Sequence, residues 1–163
     1  MFSPEETRQR WQGVVIPLVV IFGEDLSLDL EATARHVEWI MGKGAGHGNS
    51  VFLVATGGGD FSAMTLAERK EVIRVTAEVV DGRASLIAGA QSTDIRDTIA
   101  ICQFCEDVGV EAVQISGPYY YAGRPTSWPG TRPWPDTPAS DLASTTTGTI
   151  VAAMTCPWNS SNS

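Results

Sequence analysis

The feature that most constrains the fold is an alternation, before residue 117, of short apolar runs with segments that have the period of an amphipathic helix. The runs are rich in Val and Ile, which is typical of strands buried on both faces of a sheet. Four runs occur, at residues 13–21, 51–55, 85–90 and 111–116. Strands that alternate with helices pair in parallel through right-handed crossovers. The order β-α-β-α-β-α-β therefore predicts an α/β protein with a parallel sheet.

The helical segments carry their own boundary signals. The first is predicted from apolar side chains three and four positions apart. The second is predicted to begin at Thr65, because Thr65 and Glu68 have the spacing of a capping box. The third is predicted to begin at Thr93 or Asp94, residue types that favour helix N-caps, and to end at Gly109.

Two architectures satisfy this alternation, a doubly wound open sheet and a (β/α)8 barrel. In both, functional groups gather at the C-terminal ends of the strands. We therefore expect the functional site among the segments that follow the four strands, which are residues 22–23, 56–60, 91–92 and 117–121.

The most informative of these segments is the glycine loop, which we define as residues 56–60 (Thr-Gly-Gly-Gly-Asp). Consecutive glycines expose backbone N–H groups and allow positive φ, and such a nest binds carboxylate or phosphate. The loop lacks both the G-x-G-x-x-G spacing of dinucleotide sites and the Gly-Lys-Ser/Thr of a P-loop. We predict that Gly57, Gly58 and Gly59 bind a small anion. The alternative is a tight turn before the helix at Thr65.

Three consecutive tyrosines, at residues 119–121, follow the fourth strand. Tyrosine combines an apolar ring with a hydroxyl that can relay protons. A packing or interface cluster is the alternative interpretation.

The cysteines and histidines point to neither a redox centre nor a metal. Cys102 and Cys105 lie in the middle of a predicted helix and not at its N-terminus, so we expect two buried packing residues. His36 and His47 have no second ligand at a useful spacing, and we predict no metal site.

Charge and hydropathy exclude several classes of partner. The 11 basic and 19 acidic residues leave a net charge of −8, which favours neither nucleic acid nor an anionic membrane. The longest apolar run, residues 14–22, is about half the ~20 residues of a membrane-spanning helix. Residues 1–10 have no apolar core of a signal peptide, and three cysteines make no disulfide framework. We expect a soluble cytoplasmic protein.

Composition changes sharply near residue 122. Residues 123–163 hold four charged residues in 41, six of the nine prolines and three tryptophans. We expect residues 1–125 to form the folded domain and residues 126–163 to form an irregular C-terminal tail, either disordered or frame-shifted. Three tryptophans are unusual in a solvated linker.

Residues 13–125 resemble the N-terminal half of the dihydrodipicolinate synthase and N-acetylneuraminate lyase family. The matching stretches are Thr-Gly-Gly-Gly-Asp-Phe at 56–61, Met-Thr-Leu-Ala-Glu-Arg at 64–69, Asp-Gly-Arg at 81–83, Ile-Ala-Gly at 87–89 and Gly-Pro-Tyr-Tyr-Tyr at 117–121. The resemblance implies a partial (β/α)8 TIM barrel, of which this chain supplies about the first three and a half βα units.

The resemblance also implies a pyruvate-dependent Schiff-base lyase or aldolase that uses no cofactor. The family's Gly-Thr-Thr-Gly-Glu loop, which binds the pyruvate carboxylate, falls on the glycine loop, so Gly57, Gly58 and Gly59 become the implied substrate-binding residues. Gly57 and Gly58 replace the two threonines and have no hydroxyl to relay a proton. The family's relay tyrosine in a Pro-Tyr-Tyr loop, which reaches a neighbouring subunit's site, falls on Tyr120.

Other parts of the family's catalytic site have no counterpart here. The only lysines, Lys43 and Lys70, lie at the end of the first and inside the second predicted helix, and neither matches the Schiff-base lysine. Residues 154–159 resemble the family's Tyr-Asn-x-Pro stretch with Met154 in place of tyrosine, which suggests a frame shift upstream. We therefore expect an incomplete chain that is inactive alone.

Two alternatives to a lyase remain, a half-barrel that binds a small carboxylate and a structural half-barrel, both without catalysis. The implied small-molecule partner is a pyruvate-like 2-oxo acid. Because four strands leave two open edges and one uncovered face, we also expect a homo-oligomer or self-association.

Overall fold

The computed structural model describes residues 4–116, 142–144 and 149–153. An alternation of parallel strands and helices follows a short first helix, α1, as the sequence predicts. The elements are α1 (Pro4–Arg10), β1 (Val14–Pro17), α2 (Leu30–Gly42), β2 (Ser50–Val54), α3 (Leu66–Val80), β3 (Ser85–Gly89), α4 (Ile95–Asp107), β4 (Ala112–Ser116), β5 (Leu142–Ser144) and β6 (Thr149–Ala153).

Strands β1 to β4 lie side by side in chain order, and each pairs in parallel with the next. Val15 is level with Val51, and Ile87 is level with both Leu53 and Ala112. Because the strands run in one direction, their C-terminal ends meet at one edge of the sheet. The predicted α/β class and the partial barrel order are confirmed.

Side-chain caps begin the three helices of the alternation, and those of α3 and α4 were predicted from the sequence. The Asp29 side chain accepts a hydrogen bond from the amide of Ala32 (2.8 Å) and begins α2. The capping box of Thr65 and Glu68 is present at the start of α3. Asp94, and not Thr93, is the N-cap of α4. Each cap satisfies amides of the first turn that have no partner within the helix.

The sheet is apolar on both faces. On the helix side lie the largest fully buried side chains, which include Phe52, Val54, Ile73 and Ile101. On the other face Val51, Ile87 and Ala112 form a second buried cluster, with Trp11 packed against it. The expectation that this face lacks cover is therefore wrong for these three residues.

The short helix α1 and the residues after it were not anticipated from the sequence. Arg10 Nη2 donates to Glu111 Oε1 (2.7 Å), and the indole N–H of Trp11 donates to Glu111 Oε2 (3.2 Å). These bonds join the segment before β1 to the start of β4, across the N-terminal edge of the sheet. Sequence periodicity could not show them, because the partners are about 100 positions apart.

The tail is less irregular than the sequence indicates. Strand β6 pairs antiparallel with β4, and β5 pairs antiparallel with β6. The edge of β4, expected to be free, is therefore occupied. The run of β-branched residues at 149–151 (Thr-Ile-Val) favours a strand. The sequence analysis did not predict this strand, because the run is short and lies in a stretch rich in Ser, Thr and Pro.

Strand β1 ends at Pro17, earlier than the apolar run predicts, although the Leu18 amide still donates to the carbonyl oxygen of Leu53 on β2 (2.8 Å). It is the outermost strand of the described sheet on its side. Val14 and Val15 are 65% and 56% exposed, whereas the side chains of β2 and β3 are mostly buried. Among the described helices, none is long and apolar enough to cross a membrane.

We predict that the chain self-associates through the edge of β1, because unpaired strand edges with apolar side chains add further strands. The Val15→Lys variant should lower the mass measured by size-exclusion chromatography with light scattering. Leu26→Lys is the matched control, since Leu26 is 80% exposed but lies in a loop. A wild-type monomer of 17.4 kDa, or equal effects of both variants, would contradict the prediction.

Candidate active site at the C-terminal edge of the sheet

The glycine loop lies where the sequence predicts a site, directly after β2 at the C-terminal edge of the sheet. Residues Gly57–Gly59 form one turn of 3-10 helix, and a second such turn follows at Phe61–Ala63. Gly57, Gly58 and Asp60 are exposed, whereas Gly59 is buried. The loop therefore exposes Gly57, Gly58 and Asp60, whereas Thr56 and Gly59 are buried against the protein.

Two of the three glycines are required by close packing against the end of β1. A Cβ at Gly58 would lie 2.7 Å from the Cβ of Pro17, and a Cβ at Gly59 would lie 2.8 Å from the carbonyl oxygen of Leu18. A Cβ at Gly57 would meet no atom within 4 Å. The loop thus approaches the neighbouring strand too closely for any side chain at Gly58 and Gly59.

The positive φ angles that the sequence suggested for the glycines lie at the flanking residues instead. Ala55 has φ of 50° and Asp60 has φ of 49°, and none of the three glycines has a positive φ. Left-handed backbone at residues other than glycine costs conformational energy and is frequent at functional sites. The glycines serve packing, and their neighbours turn the chain.

The loop offers two amides to a ligand. The Gly59 amide donates to the carbonyl oxygen of Thr56 (2.9 Å) and is occupied. Within residues 4–116 we find no acceptor for the amides of Gly57 and Gly58, both of which are exposed. Adjacent unpaired amides can bind a carboxylate. The assignment of Gly57, Gly58 and Gly59 to an anion stays a prediction.

The nearby N-terminus of α3 is already capped by the chain itself. Glu68 Oε2 accepts hydrogen bonds from the Thr65 amide (2.7 Å) and the Thr65 hydroxyl (2.8 Å), and the Glu68 amide donates to Thr65 Oγ1. The bond from the Thr65 amide is the main reason that the pKa of Glu68 lies below its usual value. An anion at this edge would therefore meet the glycine loop and not the end of the helix.

Behind the loop lies Arg69, which sequence reasoning did not select. Its guanidinium donates to the carbonyl oxygens of Gln91 (2.8 Å) and Gly89 (2.9 Å), beyond and at the end of β3. The guanidinium carbon lies 5.2 Å from the ring centroid of Phe61. Arg69 is only 5% exposed. Arg69 ends the family-like stretch at 64–69, but its partners are backbone carbonyls 20 and 22 positions away, so the sequence did not indicate this contact.

Two glutamines extend the polar lining along the ends of β3 and β4. Gln91 Nε2 donates to Gln114 Oε1 (3.3 Å). Gln91 is 5% exposed, and its Oε1 has no partner in the part of the chain that the structure describes. A Cβ at Gly89 would clash with the Ala55 carbonyl and lie 2.6 Å from Gln91 Oε1. Glycine at position 89 thus leaves room for these two oxygens.

The remaining candidates from the sequence lie apart from this edge or outside the described residues. Tyr120 falls in the undescribed segment 117–141, so its role stays a prediction. Cys102 and Cys105 are buried free thiols on α4, as predicted, and burial raises the pKa of Cys105 to about 12. His36 stacks on Trp39 in α2.

His47 lies at the opposite edge of the sheet, where its ring forms a hydrogen bond with the carbonyl of Gly82 (2.6 Å). In the described ranges, no three His, Cys, Asp or Glu side chains are grouped as a metal site would require.

Both lysines lie on the helical layer. Lys43, which follows α2, has its ammonium 5.5 Å from the ring centroid of Trp39. Lys70 on α3 has its ammonium 5.5 Å from the ring centroid of Phe104 on α4. Neither belongs to a strand.

Comparison with known proteins identifies the family and the extent of the match. Residues 10–128 match the dihydrodipicolinate synthetase family. An uncharacterized DapA-like lyase of Halobacterium salinarum is 36% identical over 109 residues, which are 67% of this chain and 34% of that protein. The 4-hydroxy-tetrahydrodipicolinate synthase of Chelativorans sp. is 36% identical over 111 residues, 68% of this chain and 36% of that enzyme. This chain thus spans about a third of the length of these curated relatives.

A solved structure supports the same assignment. YagE, a prophage protein of E. coli K12 from the dihydrodipicolinic acid synthase family, was solved in complex with pyruvate. It aligns with a TM-score of 0.63 and 28% identity, over 69% of this chain and 36% of YagE.

We predict that Gly58→Ala destabilises the chain by about 1–3 kcal/mol, because the added methyl overlaps Pro17 in a packed region. Gly57→Ala is the matched control and should change the free energy of unfolding by less than about 0.5 kcal/mol, as at an open surface position. Urea unfolding followed by circular dichroism measures both. Equal effects of the two variants would show that the loop does not pack on β1 as described.

Proposed function

The chain belongs to the dihydrodipicolinate synthetase family, and from this premise we propose that it carries the carboxylate-binding part of a pyruvate-dependent Schiff-base lyase or aldolase. The observation that supports this most directly is the pair of exposed residues Gly57 and Gly58, whose amides have no acceptor within residues 4–116, at the C-terminal edge of a parallel sheet. That edge is where barrel enzymes place their chemistry. The complex of YagE with pyruvate supports the choice of a 2-oxo acid as the ligand.

The two amides would hold the carboxylate and so orient the adjacent carbonyl. Backbone N–H groups already aimed at the anion need no rearrangement when it binds. A single nest of this kind, without a cation in contact, should bind a small carboxylate only at ~mM Kd. Gly57 and Gly58 cannot add a proton relay, since they have no hydroxyl.

Schiff-base formation needs an uncharged lysine amine that attacks the carbonyl carbon, after which water leaves. Lys43 and Lys70 lie on the helical layer, against Trp39 and Phe104. We therefore propose that neither is the nucleophile and that the lysine would come from outside these 163 residues. By this proposal the chain alone is catalytically inactive.

The undescribed segment would complete the site. We propose that Tyr120 is the relay tyrosine, and that residues 1–125 form the N-terminal part of a barrel domain followed by a tail at 126–163. The hypothesis of a frame shift in that tail is tested by sequencing the gene across codons 120–163.

A second function is a small-carboxylate-binding or structural half-barrel without catalysis. The placement of both lysines away from the strand ends favours this alternative for the chain on its own. In each case we propose a cytoplasmic chain that needs no cofactor, self-associates, and has neither nucleic acid nor membrane as a partner; in the lyase and carboxylate-binding cases it takes a 2-oxo acid.

The absence of a Schiff-base lysine predicts that incubation with pyruvate and borohydride gives no mass adduct on the intact chain. Mass spectrometry after digestion checks Lys43 and Lys70 separately. An adduct on either lysine that saturates with pyruvate would overturn the assignment.

The carboxylate site predicts that pyruvate shifts the backbone amide signals of Gly57 and Gly58 in an NMR titration. The amides of Gly82 and Gly109, in turns at the other edge of the sheet, serve as internal controls. If the loop signals stay fixed while pyruvate reaches tens of millimolar, the carboxylate role is wrong. Binding without a borohydride adduct agrees with both the proposed function and its non-catalytic alternative.

A further inference from the structure

We propose that Arg69 is a positioning residue that holds the glycine loop against the end of β3 and thereby sets the direction of the Gly57 and Gly58 amides. The inference deepens the proposed function and rests on it for the identity of the ligand. The effect of Arg69 on the position of the glycine loop is independent of the proposed function, because it can be measured without any ligand.

Arg69 forms a forked hydrogen-bond contact with the end of β3. One guanidinium donates to both Gly89 and Gln91 through two different nitrogens, at 2.9 and 2.8 Å. The planar guanidinium presents donors in a fixed fork, whereas the lysine ammonium is a compact point charge. Arg69 therefore fixes the path of the chain at the end of β3 by bonding the residues immediately before and after Ala90.

The guanidinium of Arg69 also contacts the ring of Phe61. The guanidinium carbon lies 5.2 Å from the centre of that ring, within the distance of a cation–π interaction. Phe61 follows Asp60 directly, so its ring lies at the C-terminal end of the glycine loop. Arg69 thus contacts the end of the glycine loop through the ring of Phe61, and a shift of the guanidinium would move that ring.

On its opposite side the glycine loop is held by close packing against the end of β1. Gly58 and Gly59 pack against Pro17 and the carbonyl of Leu18 at the end of β1. The loop therefore lies between the end of β1 on one side and the Phe61–Arg69 contact on the other. A displacement of the Phe61 ring would turn the loop about its contact with β1 and redirect its two exposed amides.

The test compares the full chain with Arg69→Lys, Phe61→Leu and the control Arg74→Lys. Arg74 lies on the same helix but is exposed and pairs with Glu71 and Glu78 at 2.8 and 2.7 Å. The first readout is the chemical shift and hydrogen exchange of the loop amides without ligand. The second is the Kd for pyruvate, taken from the signals of the folded protein.

We expect the loop amides to shift and to exchange faster in Arg69→Lys and Phe61→Leu, and to stay unchanged in Arg74→Lys. The Kd for pyruvate should rise about tenfold in the first two variants, the factor that corresponds to one weakened hydrogen bond to the anion. A purely structural role of Arg69 would lower the urea midpoint yet leave the loop signals and Kd of the folded protein unchanged. That result would overturn the inference.

The two proposals fail in different ways. If wild-type chain binds no pyruvate, the proposed function fails, and the ligand-free readout still decides whether Arg69 positions the loop. If Arg69→Lys does not fold, the Phe61→Leu variant still tests the coupling, because this substitution leaves the hydrogen bonds from Arg69 to β3 in place. Loop signals that are unchanged in folded Phe61→Leu would then refute the coupling.

Discussion

The parallel pairing of β1 to β4 in chain order is the constraint on which the rest of the structure depends. Parallel neighbours cannot be joined by a tight hairpin, so each connection is a helix that crosses back over the sheet. The helices cover one face, and Trp11 packs on the cluster of Val51, Ile87 and Ala112 on the other. The same pairing brings all four C-terminal ends to one edge, which decides where a site can form.

At that edge the backbones approach so closely that glycine is part of both the packing and the site. Gly58 and Gly59 meet the end of β1, and Gly89 meets the carbonyl of Ala55. Close packing therefore fixes the loop, while Gly57 and Gly58 keep exposed amides. Arg69 belongs to the same arrangement, because its fork closes the end of β3 behind the loop. The contacts that hold this edge together are therefore the same contacts on which the proposed ligand geometry depends.

The proposed division between binding and chemistry follows from where the two lysines lie. Both are on the helical layer, against aromatic rings, whereas the strand ends carry backbone groups, two glutamines and the guanidinium of Arg69. Neutral hydrogen-bonding groups can orient a 2-oxo acid but cannot form a covalent bond to its carbonyl carbon. The chain spans about a third of the length of the curated relatives it matches, so the assignment of a covalent step belongs to the proposed function.

The sequence alone determined the local elements of residues 13–116 and their order, because periodicity, caps and turn residues act over a few positions. The β-α-β-α-β-α-β pattern, the capping box at Thr65 and the buried cysteines of α4 were predicted from such signals and are confirmed. The glycine loop was also located, although the reason for its glycines was not. Only the tertiary structure showed that Gly58 and Gly59 pack against the end of β1 and that Arg69 donates hydrogen bonds to the end of β3. It also showed that Glu111 accepts hydrogen bonds from Arg10 and Trp11, and that β6 pairs with the edge of β4. These interactions join residues far apart in the chain, often through backbone atoms that every residue type carries, and so leave no pattern in the sequence.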